Sequence, residues 1–348
     1  MTDLFFSINP VWCRSWRSTR CVAAPRAAVN AGYWLRMAFA CLVFALAASA
    51  LAQYPTRQVR LIVMTPPGGS PDLAARILGE SLSSGLRRPI VIENRPGSNG
   101  NIAGELVARA VPDGHTLLFA SESLIAINPH LYQNMSFSTL KHLAPVASVA
   151  SNQFLLAVHP SLPASSLAEF VEHARRAHPP LTYAAGGSQQ LIGMEWLKLL
   201  AGVDLLHVPY RGGAFATNAA VAGEVSVVFA GTSAAPFVRS DKLRALAVSG
   251  RDRSRAFPDL PTIGATYPGY EMSAWLGLFA PARTLQAVIT RLRAETNKAL
   301  ARPDFQERLA AAGTLEPFST SLSEFVATIQ RDHALYGKLV KSIGIRPD

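Results

Sequence analysis

Short apolar segments alternate with helical periodicity along most of the chain. Apolar runs at 59–64, 89–93 and 115–120 are separated by stretches in which apolar residues recur every three or four positions. Runs of this length predict buried strands, and the three- to four-residue period predicts amphipathic helices. The segment from 59 to 120 is therefore predicted to be β-α-β-α-β.

The same alternation resumes in the second half of the chain and ends in a helical region. Further strands are predicted at 154–158, 181–185, 204–208, 225–229 and 243–248. Helices are predicted at about 285–301, 303–312 and from Ser321 onward. Because alternating strands and helices build parallel sheets covered by helices on both faces, we predict the α/β class. Two such series exceed what one core usually holds, so we expect two domains.

Local signals mark where three of these helices begin. Ser166-Leu-Ala-Glu169 and Ser321-Leu-Ser-Glu324 have the spacing of a capping box, in which the serine and glutamate side chains each accept a backbone N–H at the helix start. Ser70 is predicted to cap the first helix, with Pro71 in its first turn.

The first 52 residues have the three parts of a secretory signal peptide. The first 36 carry five arginines and one acidic residue, an apolar run of 13 residues spans 37–49, and Ala50-Leu51-Ala52 supplies small residues for cleavage. A buried N-terminal helix is the alternative. We predict a signal peptide over 1–52, cleavage after about Ala52 and a periplasmic protein.

Composition then narrows the chemistry. All three cysteines (Cys13, Cys21 and Cys41) precede the predicted cleavage site, so the mature chain lacks thiols and suits an oxidising compartment. The sequence has no zinc-binding histidine spacing and no phosphate-binding glycine motif, and we expect no metal and no cofactor. A net charge of +10 without a dense basic block argues against a nucleic-acid partner. Beyond the N-terminal segment, no apolar stretch reaches the roughly 18 residues of a membrane span.

Two glycine-bearing loops, each between a predicted strand and a predicted helix, are the best candidates for a binding site. They are Pro67-Gly-Gly-Ser-Pro-Asp72 and Gly186-Gly-Ser-Gln-Gln190. Ligands of open α/β sheets bind beyond the carboxyl ends of strands, where helix N-termini present free backbone N–H groups and a positive dipole end. Two such loops facing each other would hold carboxylates without a cationic side chain. The alternative is that both are tight turns before capped helices.

The sequence contains no recognisable catalytic pattern. Ser188, the one nucleophile candidate in these loops, lies in Gly-Gly-Ser-Gln-Gln and not in G-x-S-x-G, and no histidine or aspartate partner follows from spacing. We therefore predict that the protein is not an enzyme.

Eight segments in a fixed order carry a resemblance to a known family. They are Tyr54-Pro-x-x-x-Val-Arg-Leu-Ile-Val63, Pro67-Gly-Gly-x-x-Asp72, Glu93-Asn-Arg-Pro-Gly97 with Gly100-Asn101, Ala110-Val-Pro-Asp-Gly-His-Thr-Leu117, His207-Val-Pro-Tyr-Arg-Gly212, Leu243-Arg-Ala-Leu-Ala-Val248, Pro258-Asp-Leu-Pro-Thr262 and Pro268-Gly-Tyr-Glu271. From about 54 to 345, the chain resembles the Bug-type substrate-binding receptors of tripartite tricarboxylate transporters.

The resemblance implies a two-lobed periplasmic binding protein of type II (a Venus-flytrap fold), with parallel-rich sheets flanked by helices and lobes that close over a small carboxylate. By this analogy we expect lobe 1 over 53–153 plus 273–348, lobe 2 over 154–272 and a crossing strand at 275–279. The implied partners are a carboxylate ligand and membrane permease subunits, and we expect a monomer.

In the family, the two loops hold the ligand carboxylates through backbone N–H groups, small hydroxyls and ordered water. The predicted ligand-binding residues of this chain are Pro67, Gly68, Gly69, Ser70, Asp72, Ser121, Ser123, Gly186, Gly187, Ser188, Gln189, Gln190, Tyr210, Gly231 and Thr232.

Three segments of the chain depart from the family pattern. The second loop is shorter than in the family and lacks its histidine, Ala230-Gly231 stands where Asp-Asn is common, and Ser226 replaces a common aspartate. Both a different ligand and a receptor that has lost its ligand are compatible with these changes.

Three functional hypotheses follow. The leading one is an extracytoplasmic receptor that captures a dicarboxylate, an amino acid or an aromatic acid for a tripartite tricarboxylate-type transporter. The alternative is a periplasmic sensing module that signals ligand state to a membrane partner. A secreted hydrolase that uses Ser188 is the remote third.

Overall fold

The computed structural model of the protein describes residues 54–345. The predicted signal peptide at 1–52 lies outside the described residues. Within 54–345, eleven strands form two sheets. None of the helices in this range combines the length and the apolar character that crossing a membrane requires.

Six strands form the first sheet. They are β1 (Val59–Val63), β2 (Ile90–Asn94), β3 (Thr116–Ser121), β4 (Leu143–Gln153), β10 (Ser273–Pro281) and β11 (Leu315–Pro317). Their order across the sheet is β11-β4-β10-β3-β1-β2. β1 pairs in parallel with β2 and β3, whereas β10 runs antiparallel to β3 and β4, and β11 runs antiparallel to β4.

Five strands form the second sheet. They are β5 (Leu155–Val158), β6 (Leu181–Ala185), β7 (Leu205–Pro209), β8 (Val227–Ala230) and β9 (Arg244–Val248). Their order is β7-β6-β8-β5-β9. β6 pairs in parallel with β7 and β8, and β5 runs antiparallel to β8 and β9.

Twelve α-helices within the described residues connect these strands. They are α1 (Ser70–Leu86), α2 (Asn101–Ala108), α3 (Asn128–Leu131), α4 (Thr139–His142), α5 (Leu167–Arg176), α6 (Ser188–Ala201), α7 (Gly213–Val221), α8 (Ala235–Arg239), α9 (Ile263–Thr266), α10 (Gln286–Leu300), α11 (Pro303–Ala311) and α12 (Leu322–Ser342). Short 3-10 turns at Ser98–Gly100 and Thr232–Ala234 and a π-helical turn at Ser123–Ile127 complete the helical segments.

Both sheets are mixed, and this confirms the predicted α/β class while refining the expectation of parallel sheets. The parallel pairs join strands linked by helical crossovers, as the geometry of parallel connections requires. The antiparallel pairs involve β4, β5, β10 and β11, which reach their sheets by other routes.

The longest strand, β4, is absent from the sequence-based expectations. Its sequence is rich in alanine and serine and contains Pro145, and these residues have low strand preference. Tertiary context overrides that preference, because β4 lies between β10 and β11 with most of its residues buried. The β4–β10 register shifts between Leu278 and Phe279, beside the position where Pro145 pairs, so the proline sits at an irregularity of the ladder.

The chain passes between the two sheets at two places. β4 ends at Gln153 and β5 begins at Leu155, so that Phe154 alone separates a strand of the first sheet from a strand of the second. The chain returns to the first sheet at Ser273, where β10 begins. The crossing strand expected at 275–279 lies inside β10.

The predicted N-caps are accurate at Ser321, only partly so at Ser166 and wrong at Ser70. Ser321 forms the full capping box with Glu324. Ser166 accepts the N–H of Glu169, but the Glu169 carboxylate accepts from Ser165 instead of completing the box. The prediction for Ser70 is wrong: Gly69 is the N-cap of α1, and Ser70 is its first residue.

The last helix, α12, packs on both hydrophobic cores. Phe325 and Ile329 belong to a buried cluster with residues of the first sheet, including Leu118 and Phe279. Farther along the helix, the Tyr336 side chain belongs to the cluster built around the second sheet. Although the analogy with two-lobed receptors assigns α12 to lobe 1, its two ends therefore contact different cores.

Candidate functional site

A cavity of about 730 Å³ is lined by segments from both sheets. From the first sheet and its connections come residues 64–67, 69–71, 96–100, 102, 121, 123 and 152. From the second come residues 154, 186–190, 210–215, 231 and 233. Ala274 and Leu276 of β10 complete the lining.

The cavity brings together most of the ligand-binding residues predicted from the sequence. Gly68, Asp72 and Thr232 are not among the lining residues, and all the other predicted residues are. Both glycine-bearing loops therefore face one shared space, although they lie more than a hundred positions apart in the sequence.

Asp72 stabilises the first loop without lining the cavity. Its carboxylate, 2% exposed, accepts from the Gly68 N–H at 3.0 Å, from Asn94 Nδ2 at 2.8 Å and from Arg76 Nε at 3.0 Å. Burial acts to raise the pKa of Asp72, but the hydrogen bonds from Arg76, Gly68 and Asn94 outweigh it and lower that pKa below its ordinary value. The ionised carboxylate thus fixes the turn that precedes α1.

Ser70 belongs to a polar cluster that connects the two sheets; we call Ser70, Asn152, Thr232 and Thr314 the Ser70 cluster. Ser70 Oγ donates to Thr232 Oγ1 at 3.0 Å and accepts from Asn152 Nδ2 at 3.3 Å. Thr314 Oγ1 donates to Asn152 Oδ1 at 2.6 Å. These bonds explain why the Ser70 hydroxyl does not cap its own helix.

Gly231 is packed tightly against this cluster. A Cβ at Gly231 would lie 2.5 Å from Asn152 Nδ2 and 3.0 Å from Ser70 Oγ. A larger residue at this position would displace the cluster. Gly231 stands where the resemblance leads us to expect Asn, and its lack of a side chain leaves the space that Ser70 and Asn152 occupy.

In the second loop, two predicted ligand-binding side chains are engaged in shaping the loop. Gln190 Oε1 accepts the Gly186 N–H at 2.5 Å, and the Ser188 hydroxyl donates to Asn128 Oδ1 at 3.0 Å. A Cβ at Gly186 would collide with the backbone of Gly212. The loop therefore rests directly on the next strand-to-helix turn, which only a glycine permits.

Five helical segments begin at the cavity with a glycine as N-cap. Gly69, Gly100, Gly187 and Gly212 precede α1, α2, α6 and α7, and Gly231 precedes the turn at Thr232–Ala234. All five glycines line the cavity and none supplies a side-chain cap, although the Thr232 N–H after Gly231 donates to Ser70 Oγ at 3.3 Å. First-turn N–H groups have no intrahelical acceptor, and they lie at the positive end of the helix dipole. The cavity therefore favours an anion.

Sequence reasoning placed three of these five glycines, Gly69, Gly187 and Gly231, among the ligand-binding residues. Gly100 and Gly212 lie in segments that carry the family resemblance, but neither was predicted to bind ligand. Both have positive φ, 93° and 135°, in which a glycine is strongly preferred. The glycine pair Gly212-Gly213, between the strand that ends at Pro209 and a helical period, is the signal that would have found Gly212.

Arg211 is the only charged residue among those that line the cavity, and it was also missed. It lies next to Tyr210, whose hydroxyl points to Glu224 Oε2 at 3.4 Å. Within residues 54–345, no Asp or Glu side chain lines the cavity. Electrostatically, the lining residues therefore carry a single positive charge and an array of N–H dipoles.

A buried carboxyl group lies between two lining residues. Glu122, between Ser121 and Ser123, is fully buried and accepts from Tyr336 Oη at 2.6 Å and from the Trp275 N–H at 3.1 Å. Burial raises the pKa of Glu122 to about 8, and the nearby Asp332 adds to that shift. At neutral pH this carboxyl is mostly protonated and places little negative charge near the anion-favouring cavity.

Metal chemistry finds no support in the described part of the chain. Within residues 54–345, no group of three or more His, Cys, Asp or Glu side chains is arranged to hold a metal ion.

Comparison with known proteins places the chain among transport receptors. Residues 74–345 match the model of the TctC family, described as the tripartite tricarboxylate transporter family receptor. A UPF0065 protein of Bordetella pertussis is 33% identical over 318 residues, covering 90% of this chain and 97% of that protein. Protein BugT of the same organism is 33% identical over 272 residues, covering 77% of this chain and 83% of BugT.

Two solved structures are similar over most of the described range. The R. palustris protein Rpa4515, solved with adipate, has a TM-score of 0.81 and 30% identity, covering 85% of this chain and all of that one. MatC from Rhodopseudomonas palustris, solved with bound malate, has a TM-score of 0.75 and 29% identity, covering 82% of this chain and all of MatC. Because each of these similarities covers more than 80% of this chain, each includes residues of both sheets.

Proposed function

The chain belongs to the tripartite tricarboxylate transporter receptor family, a family of periplasmic solute-binding receptors, and from this premise we propose that it binds a small carboxylate in the cavity between its two sheets. The proposal includes an extracytoplasmic location after removal of 1–52 and delivery of the solute to membrane permease subunits.

One observation carries the proposal. Glycine N-caps place the starts of four helices, α1, α2, α6 and α7, at a single cavity whose described lining has no acidic side chain. Uncapped N–H groups at helix starts bind anions, and the carboxylate is the anion that small organic solutes most often carry. Adipate and malate, the solutes in the two similar structures, are both carboxylates.

The same geometry suggests how the solute is enclosed. We take lobe 1 as 53–153 plus 273–348 and lobe 2 as 154–272, with hinges where the chain changes sheets near Phe154 and Ser273. Hinge closure about a few connecting residues is a common mechanism of ligand capture. The Ser70 cluster would then join the lobes when the cavity is closed.

The arrangement of Ser188 does not favour the hydrolase hypothesis. Its hydroxyl is 1% exposed and donates to Asn128, and no histidine within residues 54–345 is hydrogen-bonded to it. A serine nucleophile needs an adjacent general base. We therefore propose a binding function without catalysis.

Thermal unfolding of the mature protein with a panel of dicarboxylates, amino acids and aromatic acids tests the proposal. A ligand at a hundred times its Kd adds about 2.7 kcal/mol to the free energy of unfolding, which raises Tm by several degrees. Binding is then measured by calorimetry for each acid that shifts Tm. The proposal fails if no acid at millimolar concentration raises Tm in the wild-type protein.

A further inference from the structure

Arg211 has a fixed backbone and an exposed side chain at the cavity. The N–H of the preceding Tyr210 donates to Ala185 O at 3.0 Å, which ties the segment to the end of β6. The following Gly212 is buried, has φ of 135° and packs on the Pro66 ring, since a Cβ there would lie 3.3 Å from Pro66 Cδ. The Arg211 side chain itself is exposed and lines the cavity.

The guanidinium of Arg211 has no counter-ion in the described part of the chain. Within residues 54–345, no hydrogen bond or ion pair involves it, whereas Arg60 is paired with Glu93 at 2.6 Å and Arg308 with Glu80 at 2.8 Å. A planar guanidinium matches a carboxylate through two parallel hydrogen bonds. A cation facing a cavity without acidic residues is thus available to a ligand.

Large apolar side chains also line the cavity. Phe154 and Leu276 are buried at the cavity, and Ile102 and Phe215 are 50% and 53% exposed there. Ile102 follows β2 in the chain, and Phe215 lies in α7 of the other lobe as proposed. Exposed apolar side chains that line one cavity are typical of a ligand-binding surface.

From these observations we propose that Arg211 is a specificity residue that binds a second carboxylate of the ligand, so that the cavity selects a dianion whose charges are separated by an apolar spacer. This inference rests on the proposed function. One carboxylate is held by backbone N–H groups at the helix starts, the spacer contacts the apolar walls, and the far carboxylate pairs with Arg211.

A matched pair of acids tests the charge requirement. Straight-chain dicarboxylates from succinate to suberate are compared by calorimetry with the monocarboxylates of the same length, for example adipate with hexanoate. The wild-type protein is expected to bind its best dicarboxylate at least about tenfold more tightly than the matched monocarboxylate, because hydrogen bonds to charged groups are worth about that factor or more.

Three variants separate Arg211 from general effects. Arg211→Gln should weaken binding of the best dicarboxylate by about tenfold to a hundredfold and leave the monocarboxylate within about twofold. Arg211→Lys keeps the charge but loses the planar fork, and we expect an intermediate loss. Arg251→Gln, an exposed arginine that does not line the cavity, should leave both affinities unchanged.

A second pair of acids tests the spacer. Galactarate has the six-carbon skeleton and both carboxylates of adipate, but it carries a hydroxyl on each inner carbon. If the spacer lies against the apolar side chains of Ile102, Phe154 and Phe215, the hydroxyls of galactarate lose their hydrogen bonds to water there, so adipate should bind more tightly than galactarate. Tighter binding of galactarate would overturn the apolar-spacer part of the inference.

The outcomes distinguish this inference from the proposed function. If no acid binds the wild-type protein, the proposed function fails and this inference fails with it. If acids bind but the wild type does not prefer dicarboxylates, or Arg211→Gln keeps that preference, the role of Arg211 is refuted while carboxylate binding stands. If Arg211→Gln loses the preference for dicarboxylates and Arg251→Gln keeps it, the inference is supported.

Discussion

The hydroxyl of Ser70 donates to the hydroxyl of Thr232 at 3.0 Å, although 162 positions separate the two residues in the chain. Ser70 begins the first helix after β1, and Thr232 begins the helical turn after β8. Each residue therefore follows a strand of a different sheet, and their bond joins the two sides of the cavity.

This bond predicts measurable coupling between the two residues. Ser70→Ala and Thr232→Val should each lower the free energy of unfolding by about 1 kcal/mol, and the double variant should lose less than the sum because the shared hydrogen bond is lost only once. Urea unfolding of the four proteins gives the coupling energy. Strict additivity would show that the contact contributes nothing to stability.

Filling the space at a helix start should reduce binding without unfolding the protein. Gly187 has extended backbone angles, and a Cβ there would meet only Asn99 Oδ1 at 3.6 Å, so Gly187→Val fits the fold. Its branched side chain would obstruct the approach of a carboxylate to the N–H groups of α6. We expect at least a tenfold loss of affinity for the best acid, measured by calorimetry.

Gly69→Val tests the opposite loop in the same way. A Cβ at Gly69 would lie 3.2 Å from Thr65 Oγ1, a close contact that a small shift relieves. Ala287→Val, at an exposed position outside the cavity, is the matched control and should bind normally. Unchanged affinity in both glycine variants, with Tm near that of the wild type, would remove the helix starts from the binding site.

Glu122 should make the stability of the protein depend on pH. Burial raises the pKa of Glu122 from about 4.5 to about 8, so the folded state keeps a proton that the unfolded state has lost at neutral pH. Its contribution is fully present below pH 4.5 and is lost as the pH rises toward 8. Relative to wild type, Glu122→Gln should therefore become more stable between pH 5 and pH 9.

Urea unfolding at pH 5, 7 and 9 measures this trend. Glu307→Gln, an exposed position, serves as the control and should show no such change relative to wild type. A difference between Glu122→Gln and wild type that is constant across the three pH values would refute the elevated pKa.

Asp72 should behave in the opposite sense. Its pKa is lowered by the hydrogen bonds from Arg76, Gly68 and Asn94, which together outweigh the effect of burial, so its contribution is present above its unfolded pKa and disappears in acid. Asp72→Asn should lower the free energy of unfolding by about 1–3 kcal/mol at neutral pH, because it removes the negative charge that accepts hydrogen bonds from Arg76 and Gly68. The cost should shrink below pH 4, which acid titration of both proteins by circular dichroism checks.

Much of the fold follows from local pattern, and the exceptions have physical causes. The βα units appear at the predicted places because apolar runs and helical periods are local properties of the sequence. β4 is missed because its alanines, serines and Pro145 favour no strand, and only its neighbours in the sheet hold it extended. Ser70 does not cap its helix because Gly69 takes the N-cap position, and the Ser70 hydroxyl donates to Thr232, which follows β8.

The candidate site divides in the same way. The loops at 67–72 and 186–190 were predictable because glycines between a strand and a helix are visible in one sequence. Arg211 lies at the cavity because its turn converges there with turns from other parts of the chain. Glu122 is buried because elements distant in the sequence, including β10, cover its carboxyl group. Neither fact is encoded within any short segment, so neither could be predicted from pattern.

The glycine starts of the helices also affect how the protein can be redesigned. A backbone N–H is present whatever side chains surround it, so the proposed anchor for one carboxylate should persist through substitutions on the walls. Residues such as Ile102 and Phe215 can then be exchanged to accept longer, shorter or bulkier acids while that anchor stays intact. A biosensor series built on this chain would vary those wall positions and keep the glycine helix starts.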